Sequence, residues 1–384
     1  MKKRIKYLCL MLVCVIIAAG IVGCGIAPNT SNSGTKKTAT REYTDMAGRT
    51  VTLPLEINKI VAVRYMDLNI LAAVLGEDFD KKVISLGGSV EVNDIDNYKK
   101  FSESYDLDKL LIMDGLYEDN IDVEAMLELN PDIIIVDTQF QSKGCISKMI
   151  EMGLPVVFTD VNTDPFYGEL NAMKMLDEMF GKSERVSAMV EYAKVKTDAL
   201  LARIDTIVQS GTKKPVLYFE CGNTIPSEIG QTRGDTSEGW GLLWNKLGAD
   251  NIGEGHGRDV LDQEIVLTAD PDIIVIGGSN WDQTSNIMRM GYYVAPEAAI
   301  AHLDEYVASR PGWNVLPAIQ NERLYSIHFN GTVYPFNFAV YEYMAKMLWT
   351  DEFADIDPQA DLEEFFELYM PVKYSGMFAG QWHK

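Results

Sequence analysis

Histidine is scarce in this chain of 384 residues, which contains only four. A direct site for zinc or manganese needs a cluster of His, Asp and Glu side chains. No two of the histidines lie within one helical turn of each other; they are His256, His302, His328 and His383. The sequence therefore disfavours binding of a bare metal ion, and we expect no direct metal site and no resident cofactor.

Cysteine is also scarce. Three of the five cysteines precede residue 25, which leaves Cys145 and Cys221 for the rest of the chain. Two distant thiols define neither a disulfide framework nor a cysteine metal site. We expect both to be small buried hydrophobic side chains.

Signatures of catalysis are missing. The chain has no Gly-x-Ser-x-Gly, no HExxH and no Walker A pattern, which are the motifs of common hydrolases, metalloproteases and nucleotidases. Two glycine pairs, Gly87-Gly88 and Gly277-Gly278, follow apolar runs, but neither extends to GxGxxG. We interpret them as tight turns, and the sequence does not indicate an enzyme.

Basic residues are outnumbered, with 34 Lys and Arg against 56 Asp and Glu and a net charge of −22. This balance disfavours nucleic acid and anionic lipid as partners. A local cluster of arginines can still hold an anionic ligand in a cleft.

No apolar run is long enough to cross a bilayer. The run from Leu8 to Val22 has about 15 residues, whereas a spanning helix needs roughly 20. It follows Lys2, Lys3, Arg4 and Lys6, which is the layout of a secretory signal.

The end of this run, Ile21-Val22-Gly23-Cys24, resembles the bacterial lipobox. The resemblance implies a signal peptide over 1–23 and a lipid on Cys24. The polar segment that follows predicts a flexible tether over 24–40, with the folded part starting near Arg41.

One segment of the chain occurs twice. Residues 124–136 and 264–276 share six of thirteen positions at a constant offset of 140. In each copy a short helix is predicted to end before a proline, and a continuous apolar run follows. Such runs are typical of strands buried on both faces of a parallel sheet. Further strands are predicted over 59–63, 82–86, 155–160, 215–220 and 323–328.

The repeat predicts an α/β fold with two doubly wound lobes. Between them, 182–209 lacks Gly and Pro and places apolar residues at helical spacing. A helix of this length spans about 40 Å, enough to connect the lobes. The predicted organisation is an N-terminal lobe over 41–181, a backbone helix over 182–209 and a C-terminal lobe over 210–384. An ordinary surface helix of one lobe is the alternative.

Two further stretches carry a family resemblance. The segments Tyr43–Pro54 and Arg310–Ile327 resemble the corresponding parts of iron-complex and cobalamin binding proteins of the helical-backbone class (class III). These are solute-binding lipoproteins of ABC importers. The resemblance implies two lobes joined by one long helix, a ligand in the cleft between them and limited lobe motion.

The resemblance also implies one exposed glutamate on each lobe that engages arginines of the permease. The matching positions are Glu124 and Glu264, each seven residues before the Pro-Asp of the repeat. Such charge pairs fix orientation and association rate. A second explanation is compatible with this one, because a carboxylate at the start of a helix is stabilised by the helix dipole.

Ligands of open α/β sheets bind beyond the carboxyl ends of the strands. The residues that follow the apolar runs are therefore candidates for ligand contact: Arg64, Tyr65, Gln139, Phe140, Asn162, Cys221, Asn223, Asn280, Trp281, His328 and Tyr334. Arg310 and Trp313 join them by the resemblance. Guanidinium and aromatic groups suit a bulky chelated ligand.

Some candidates have structural alternatives. Arg64 and Arg310 can pair with carboxylates, Trp313 can be a packed turn residue, and His328 can end a strand without binding haem iron.

The expected function is an extracytoplasmic, lipid-anchored, monomeric binding protein that captures a ferric-siderophore-type complex and delivers it to an ABC permease. Haem and cobalamin are alternative ligands, and a lipid-tethered hydrolase is the alternative of a different class. The segments 222–239 and 283–300 are predicted loops at the cleft mouth.

Overall fold

The computed structural model describes residues 39–88, 90–222, 225–235, 239–279 and 288–384. These residues belong to one compact unit that begins at Ala39. The predicted signal, the tether, Cys24 and the candidates Asn223, Asn280 and Trp281 lie outside the described residues. Within those ranges, none of the helices combines the length and the apolar character that crossing a membrane requires.

The first half begins with an antiparallel hairpin of β1 (Thr40–Thr44) and β2 (Thr50–Pro54). A parallel sheet follows, with strand order β5-β4-β3-β6-β7. Its strands are β3 (Ile60–Ala62), β4 (Val83–Leu86), β5 (Leu111–Ile112), β6 (Ile133–Asp137) and β7 (Val156–Thr159). Its helices are α1 (Asp67–Leu75), α2 (Phe79–Lys82), α3 (Val90–Asn93), α4 (Ile95–Phe101), α5 (Val123–Leu129), α6 (Gly144–Glu151) and α7 (Gly168–Phe180).

The long helix α8 (Glu184–Gln209) has 26 residues and confirms the predicted helix. Its buried side chains recur every three or four residues, as on one face of an α-helix. Val186, Met189 and Ala193 pack into the core of the first sheet, whereas Leu200 and Ile204 pack into a core of the second. The helix therefore connects the two lobes through its buried face.

The second half contains a mixed sheet of order β10-β8-β11-β12-β13, with β9 paired to β8. Its strands are β8 (Val216–Cys221), β9 (Gln231–Thr232), β10 (Asp250–Asn251), β11 (Ile273–Gly278), β12 (Leu324–His328) and β13 (Ala379–Gln381). Its helices are α9 (Gly239–Lys246), α10 (Gln263–Ala269), α11 (Pro296–Ser309), α12 (Pro317–Gln320), α13 (Asn337–Leu348) and α14 (Pro358–Tyr369). The two sheets and the helix between them confirm the predicted α/β class.

The two copies of the repeat have the same local structure. Helices α5 and α10 both end in a left-handed residue, Asn130 with φ 47° and Asp270 with φ 51°. The aspartate after each proline then accepts a hydrogen bond from the start of a neighbouring strand. Asp132 accepts from the Lys59 amide at 2.9 Å, and Asp272 accepts from the Val216 amide at 2.9 Å. The repeated Pro-Asp therefore fixes the start of β3 and of β8.

The C-terminal part of the chain belongs to both lobes. Strand β13 pairs with β12 in the second sheet, but Leu362, Phe365 and Phe366 of α14 are buried in the core of the first sheet. Phe336 lies in the same core. The two lobes thus share packed side chains beyond α8.

Candidate ligand-binding cleft

The strand order of each sheet shows which of its edges borders the cleft. In the first sheet the chain proceeds from β3 to β4 and β5 on one side and to β6 and β7 on the other. In the second sheet, β8 lies between β10 and β11. Loops diverge at such switch points and leave a crevice beyond the carboxyl ends of the strands.

A cavity of about 320 Å³ lies there and is lined by residues of both halves. The first half contributes Arg64, Met66, Tyr117, Gln139 and Asn162. The second half contributes Arg233, Asp235, Gly239, Trp240, Gly241, Gly257, Arg258, Phe329, Asn330, Thr332 and Val333. Three arginines and three aromatic rings therefore border one space.

Arg64 lies directly after β3 and is held by two carboxylates. Its Nε donates to Asp67 Oδ1 at 3.0 Å, and its guanidinium lies 3.4 Å from Asp137 Oδ2. Burial alone would lower the pKa of Arg64, but the charges of Asp67 and Asp137 more than offset this and raise it. Arg64 is therefore a fixed cation on the cleft wall.

Asp137, the last residue of β6, orders the same wall. Its Oδ1 accepts from the Gln139 amide at 3.1 Å and from Asn162 Nδ2 at 3.2 Å. Glu169 is buried near this group, and burial raises its pKa well above the ordinary value. Burial also raises the pKa of Asp67, against the opposing effect of the Arg64 charge and its hydrogen bond.

Arg233 lies on the opposite wall in different surroundings. Its guanidinium donates to Gln231 Oε1 at 3.3 Å and to the Thr232 carbonyl at 3.0 Å, both uncharged acceptors. Its Cζ lies 5.3 Å from the centre of the Phe329 ring. Burial, together with the nearby Arg258, lowers the pKa of Arg233. This wall therefore carries two guanidinium groups, those of Arg233 and Arg258, together with the carboxylate of Asp235.

A second cavity, of about 340 Å³, adjoins the cleft and shares Arg64 and Tyr117 with it. Its lining also includes Tyr65, Asp114 and Asn120. Burial is the main cause that raises the pKa of Tyr65, so its hydroxyl stays protonated and can donate a hydrogen bond. The two cavities together offer more room than the cleft alone.

Comparison with known proteins gives the family. The model of the family described as periplasmic binding protein matches residues 73–330. This chain belongs to the periplasmic binding protein family. Proteins of this family act outside the cytoplasm and deliver small-molecule ligands to the permease of an ABC transporter.

Relatives of this periplasmic binding protein include the molybdate-binding protein MolA of Haemophilus influenzae, 21% identical over 361 residues, or 88% of this chain and 92% of MolA. The structure of the TroA-like periplasmic binding protein FepB of Veillonella parvula matches with a TM-score of 0.82 and 28% identity, over 89% of this chain and 99% of that one. A periplasmic haem-binding protein of Pseudomonas aeruginosa shares the fold, with a TM-score of 0.53 and 15% identity over 85% of this chain and 99% of its own.

The structure brings several of the predicted ligand-contact residues of this periplasmic binding protein together. Arg64, Gln139 and Asn162 line the cleft, and Tyr65 lines the adjoining cavity. Phe140 follows β6 as expected, but its side chain is buried in a core under the sheet. Cys221 is half-buried at the end of β8, where burial raises the pKa of its thiol to about 11.

Arg310 and Trp313 lie in the packed interior of the second lobe and not in the lining of the cleft. Arg310 is 3% exposed and binds Glu220 at 2.7 Å. Trp313 is fully buried, with Arg310 stacked 4.4 Å from its ring centre. Their positions correct the expected ligand contacts and agree with the structural alternative for each residue.

His328 and Tyr334 are buried as well. His328 packs against Phe378, with ring centres 4.7 Å apart, and burial lowers its pKa to about 3. Tyr334 donates to Asp94 Oδ2 at 3.1 Å and accepts from Asn97 Nδ2 at 2.7 Å. Both side chains are buried in the interior, whereas Phe329 and Asn330, the residues directly after β12, line the cleft.

The sequence analysis did not name Arg233, Arg258, Trp240 or Phe329. Phe329 directly follows β12, so the rule that nominated its neighbours would have found it. Arg233 falls inside 222–239, which was predicted as a loop at the cleft mouth; in the structure it directly follows strand β9 and lines the cleft. Arg258 lies in an irregular segment that carries no sequence signal.

Glu124 and Glu264 occupy equivalent places. Each is exposed in the first turn of its helix, α5 or α10.

Among the described residues, no group of three or more His, Cys, Asp or Glu side chains is arranged to hold a metal ion.

Proposed function

We propose that this protein captures an anionic metal chelate of the ferric-siderophore type and delivers it to the permease of an ABC importer. The observation that carries the proposal is the convergence of Arg64, Arg233 and Arg258 on one cavity between the lobes. Guanidinium groups bind carboxylate and catecholate oxygens through paired, charge-assisted hydrogen bonds.

The aromatic lining supports a ligand with planar rings. Trp240 and Phe329 stack with ring centres 5.5 Å apart, and Tyr117 borders the same cavity with 57% of its surface exposed. Aromatic faces bind flat groups through offset stacking. A catecholate chelate combines the two features, since it carries oxygen anions on aromatic rings.

The dimensions also fit a chelate. The cavities of about 320 Å³ and about 340 Å³ share Arg64 and Tyr117, and together they fall within the range of small-molecule sites, roughly 300–1,000 Å³. A ligand larger than a simple ion can occupy both.

An oxyanion such as molybdate is the second candidate. MolA, described as molybdate-binding, matches this chain over 88% of its length, and three arginines suit a small anion. The aromatic rings and the second cavity have no role with so small a ligand. For haem, the buried His328 offers no axial ligand on the cleft surface; haem and cobalamin are competitors in the titration below.

Delivery requires the protein to stay near its permease. We propose that Cys24 carries a lipid anchor, that Glu124 and Glu264 dock onto arginines of the permease, and that the protein acts as a monomer. In this role it catalyses no reaction and needs no cofactor, because the cleft only binds and releases its ligand.

Tryptophan fluorescence tests the proposal, since Trp240 lines the cleft. The fragment 39–384 is titrated with a ferric catecholate, a ferric hydroxamate, haemin, cobalamin, molybdate and free ferric ion, in parallel with a Trp240→Phe variant. Saturable submicromolar quenching by the catecholate, reduced in the variant, supports the proposal. A response to molybdate alone selects the oxyanion. A response to none, with turnover of esterase or phosphatase substrates, would replace it with a hydrolase.

A further inference from the structure

We infer that Arg310 is a positioning residue: with Glu220, it holds the loop that carries Arg233 into the cleft. The inference rests on the proposed role of the cleft as the ligand site. It assigns Arg310 a function that requires no contact with the ligand.

Each of the three guanidinium nitrogens of Arg310 donates at least one hydrogen bond. It binds Glu220 through two parallel bonds, at 3.0 Å to Oε2 and at 2.7 Å to Oε1. Its Nε donates to the Pro226 carbonyl at 2.6 Å, and a terminal nitrogen donates to the Glu228 carbonyl at 2.5 Å. Arg310 therefore links the end of β8 to two points of the following loop.

Glu220 adds a third point. Its Oε2 also accepts from the Gly230 amide at 3.1 Å and from the Tyr218 hydroxyl at 2.5 Å. The side chain is fully buried, so these bonds are shielded from water. Together the pair fixes the loop at Pro226, Glu228 and Gly230.

The loop leads directly into the cleft. After Gly230, strand β9 pairs with β8 so that Thr232 lies opposite Glu220, and Thr232 Oγ1 donates to the Phe219 carbonyl at 2.9 Å. Arg233 is the next residue, and its carbonyl accepts from Asn251 Nδ2 at 3.1 Å. A shift of the loop would therefore be passed to Arg233.

The same segment also holds the second cleft arginine of this wall. The Gly234 amide donates to the Gly257 carbonyl at 2.8 Å, and Arg258 is the next residue. Arg233 and Arg258 both line the cleft. The Glu220–Arg310 pair thus supports the wall that carries Arg233 and Arg258 as one unit.

Lysine cannot replace this arrangement. The flat fork of arginine meets both carboxylate oxygens and two carbonyls at once, whereas an ammonium is a point charge with three donors. Arg310→Lys retains the charge beside Glu220, so it avoids a buried unpaired carboxylate, but it releases the loop. Glu220→Gln is the second variant, since it retains the shape of the side chain and weakens the same bonds.

Arg323→Lys is the matched control. Arg323 also donates to two carbonyls, those of Met347 and Leu348 at 2.8 and 3.0 Å. It precedes β12, at the end of the sheet opposite the cleft. Its replacement weakens two hydrogen bonds to carbonyls, as at Arg310, without touching the loop.

Two measurements test the inference. Amide hydrogen exchange of the ligand-free fragment 39–384 follows residues 226–235, and binding is titrated with molybdate and with a ferric tris-catecholate. In Arg310→Lys and Glu220→Gln we expect exchange of 226–235 to be at least about tenfold faster and affinity for the bound probe to fall at least about fivefold. Arg323→Lys should change neither.

Unchanged exchange of 226–235 in both variants would overturn the inference. So would an equal loss of affinity in Arg323→Lys, since that would be a general effect of stability. If the wild-type fragment binds neither probe, the proposed ligand classes fail, and the exchange data still decide whether Arg310 fixes the loop.

Discussion

At the scale of single residues, the arginines on opposite walls of the cleft differ in the groups that lose a partner when the arginine is replaced. Replacing Arg233 by Gln leaves two uncharged acceptors. We expect the fold to persist and the affinity for an anionic ligand to fall by about 1.5–3 kcal/mol, or roughly 10- to 150-fold. Fluorescence titration and thermal unfolding of Arg233→Gln measure the two effects.

Arg64→Gln is the counterpart, because it leaves Asp67 and Asp137 buried without their cation. We expect a loss of about 3–5 kcal/mol in the free energy of unfolding. Stability equal to that of Arg233→Gln would show that the carboxylates are not ionised around Arg64.

His328 makes the stability depend on pH. Burial lowers its pKa from 6.5 to about 3. Between these pH values the unfolded chain binds a proton at His328 that the folded chain does not bind. The stability that depends on neutral His328 is fully present above pH 6.5. It is lost progressively as the pH falls toward 3, by about 4–5 kcal/mol in the free energy of unfolding. Denaturant unfolding of His328→Phe should show a shallower decline between these pH values.

Other groups titrate in this range, including Asp94, whose pKa burial raises to about 6 and whose effect has the opposite sign. The difference between wild type and variant isolates His328.

At the scale of elements, α5 and α10 present Glu124 and Glu264 in equivalent first turns. Reversing both charges to Lys should abolish uptake in cells and leave ligand affinity unchanged, because neither residue lines the cleft. The cost to each helix is about 0.3–1 kcal/mol through its dipole, so the protein still folds. Transport assays and titration of the purified variant provide the two readings.

Glu191→Lys with Glu254→Lys is the matched control, since both residues are exposed, neither lies on α5 or α10, and the change in net charge is the same. Loss of uptake in this control would indicate a general charge effect. A weaker ligand affinity in the Glu124/Glu264 variant would count against docking.

At the scale of the whole molecule, the shared packing of α14 couples the lobes. Phe366 is 2% exposed and packs against Phe336, with ring centres 5.0 Å apart, within the core of the first sheet. We expect the fragment 39–384 to unfold in one calorimetric transition, and Phe366→Ala to destabilise it as a unit by about 3–5 kcal/mol.

Leu368→Ala on the same helix is the control, because Leu368 is 52% exposed and its removal leaves no cavity. Two separate transitions, of which Phe366→Ala shifts only one, would show that the lobes unfold independently.

The fold could be predicted where its signals are local. The hydrophobic pattern can be recognised within a few residues in three kinds of segment: the repeat at 124–136 and 264–276, the apolar runs, and the segment 182–209. The observed α8 starts two residues after the predicted start and ends at the predicted residue. The cleft was predicted in part: Arg64, Gln139 and Asn162 follow buried strands, and Arg233 falls in a predicted loop.

The sequence by itself determined the class of the fold, the order of helix and strand in each copy of the repeat, and the strand ends after which side chains could reach a ligand. It could do so because hydrophobic period and turn chemistry act over short distances. Only the tertiary structure decided which arginines face the cleft. Arg310 meets Glu220 across 90 residues of chain, and Arg233 meets Phe329 across the second lobe. Such pairs depend on how loops return to the sheet, and no local pattern encodes that path.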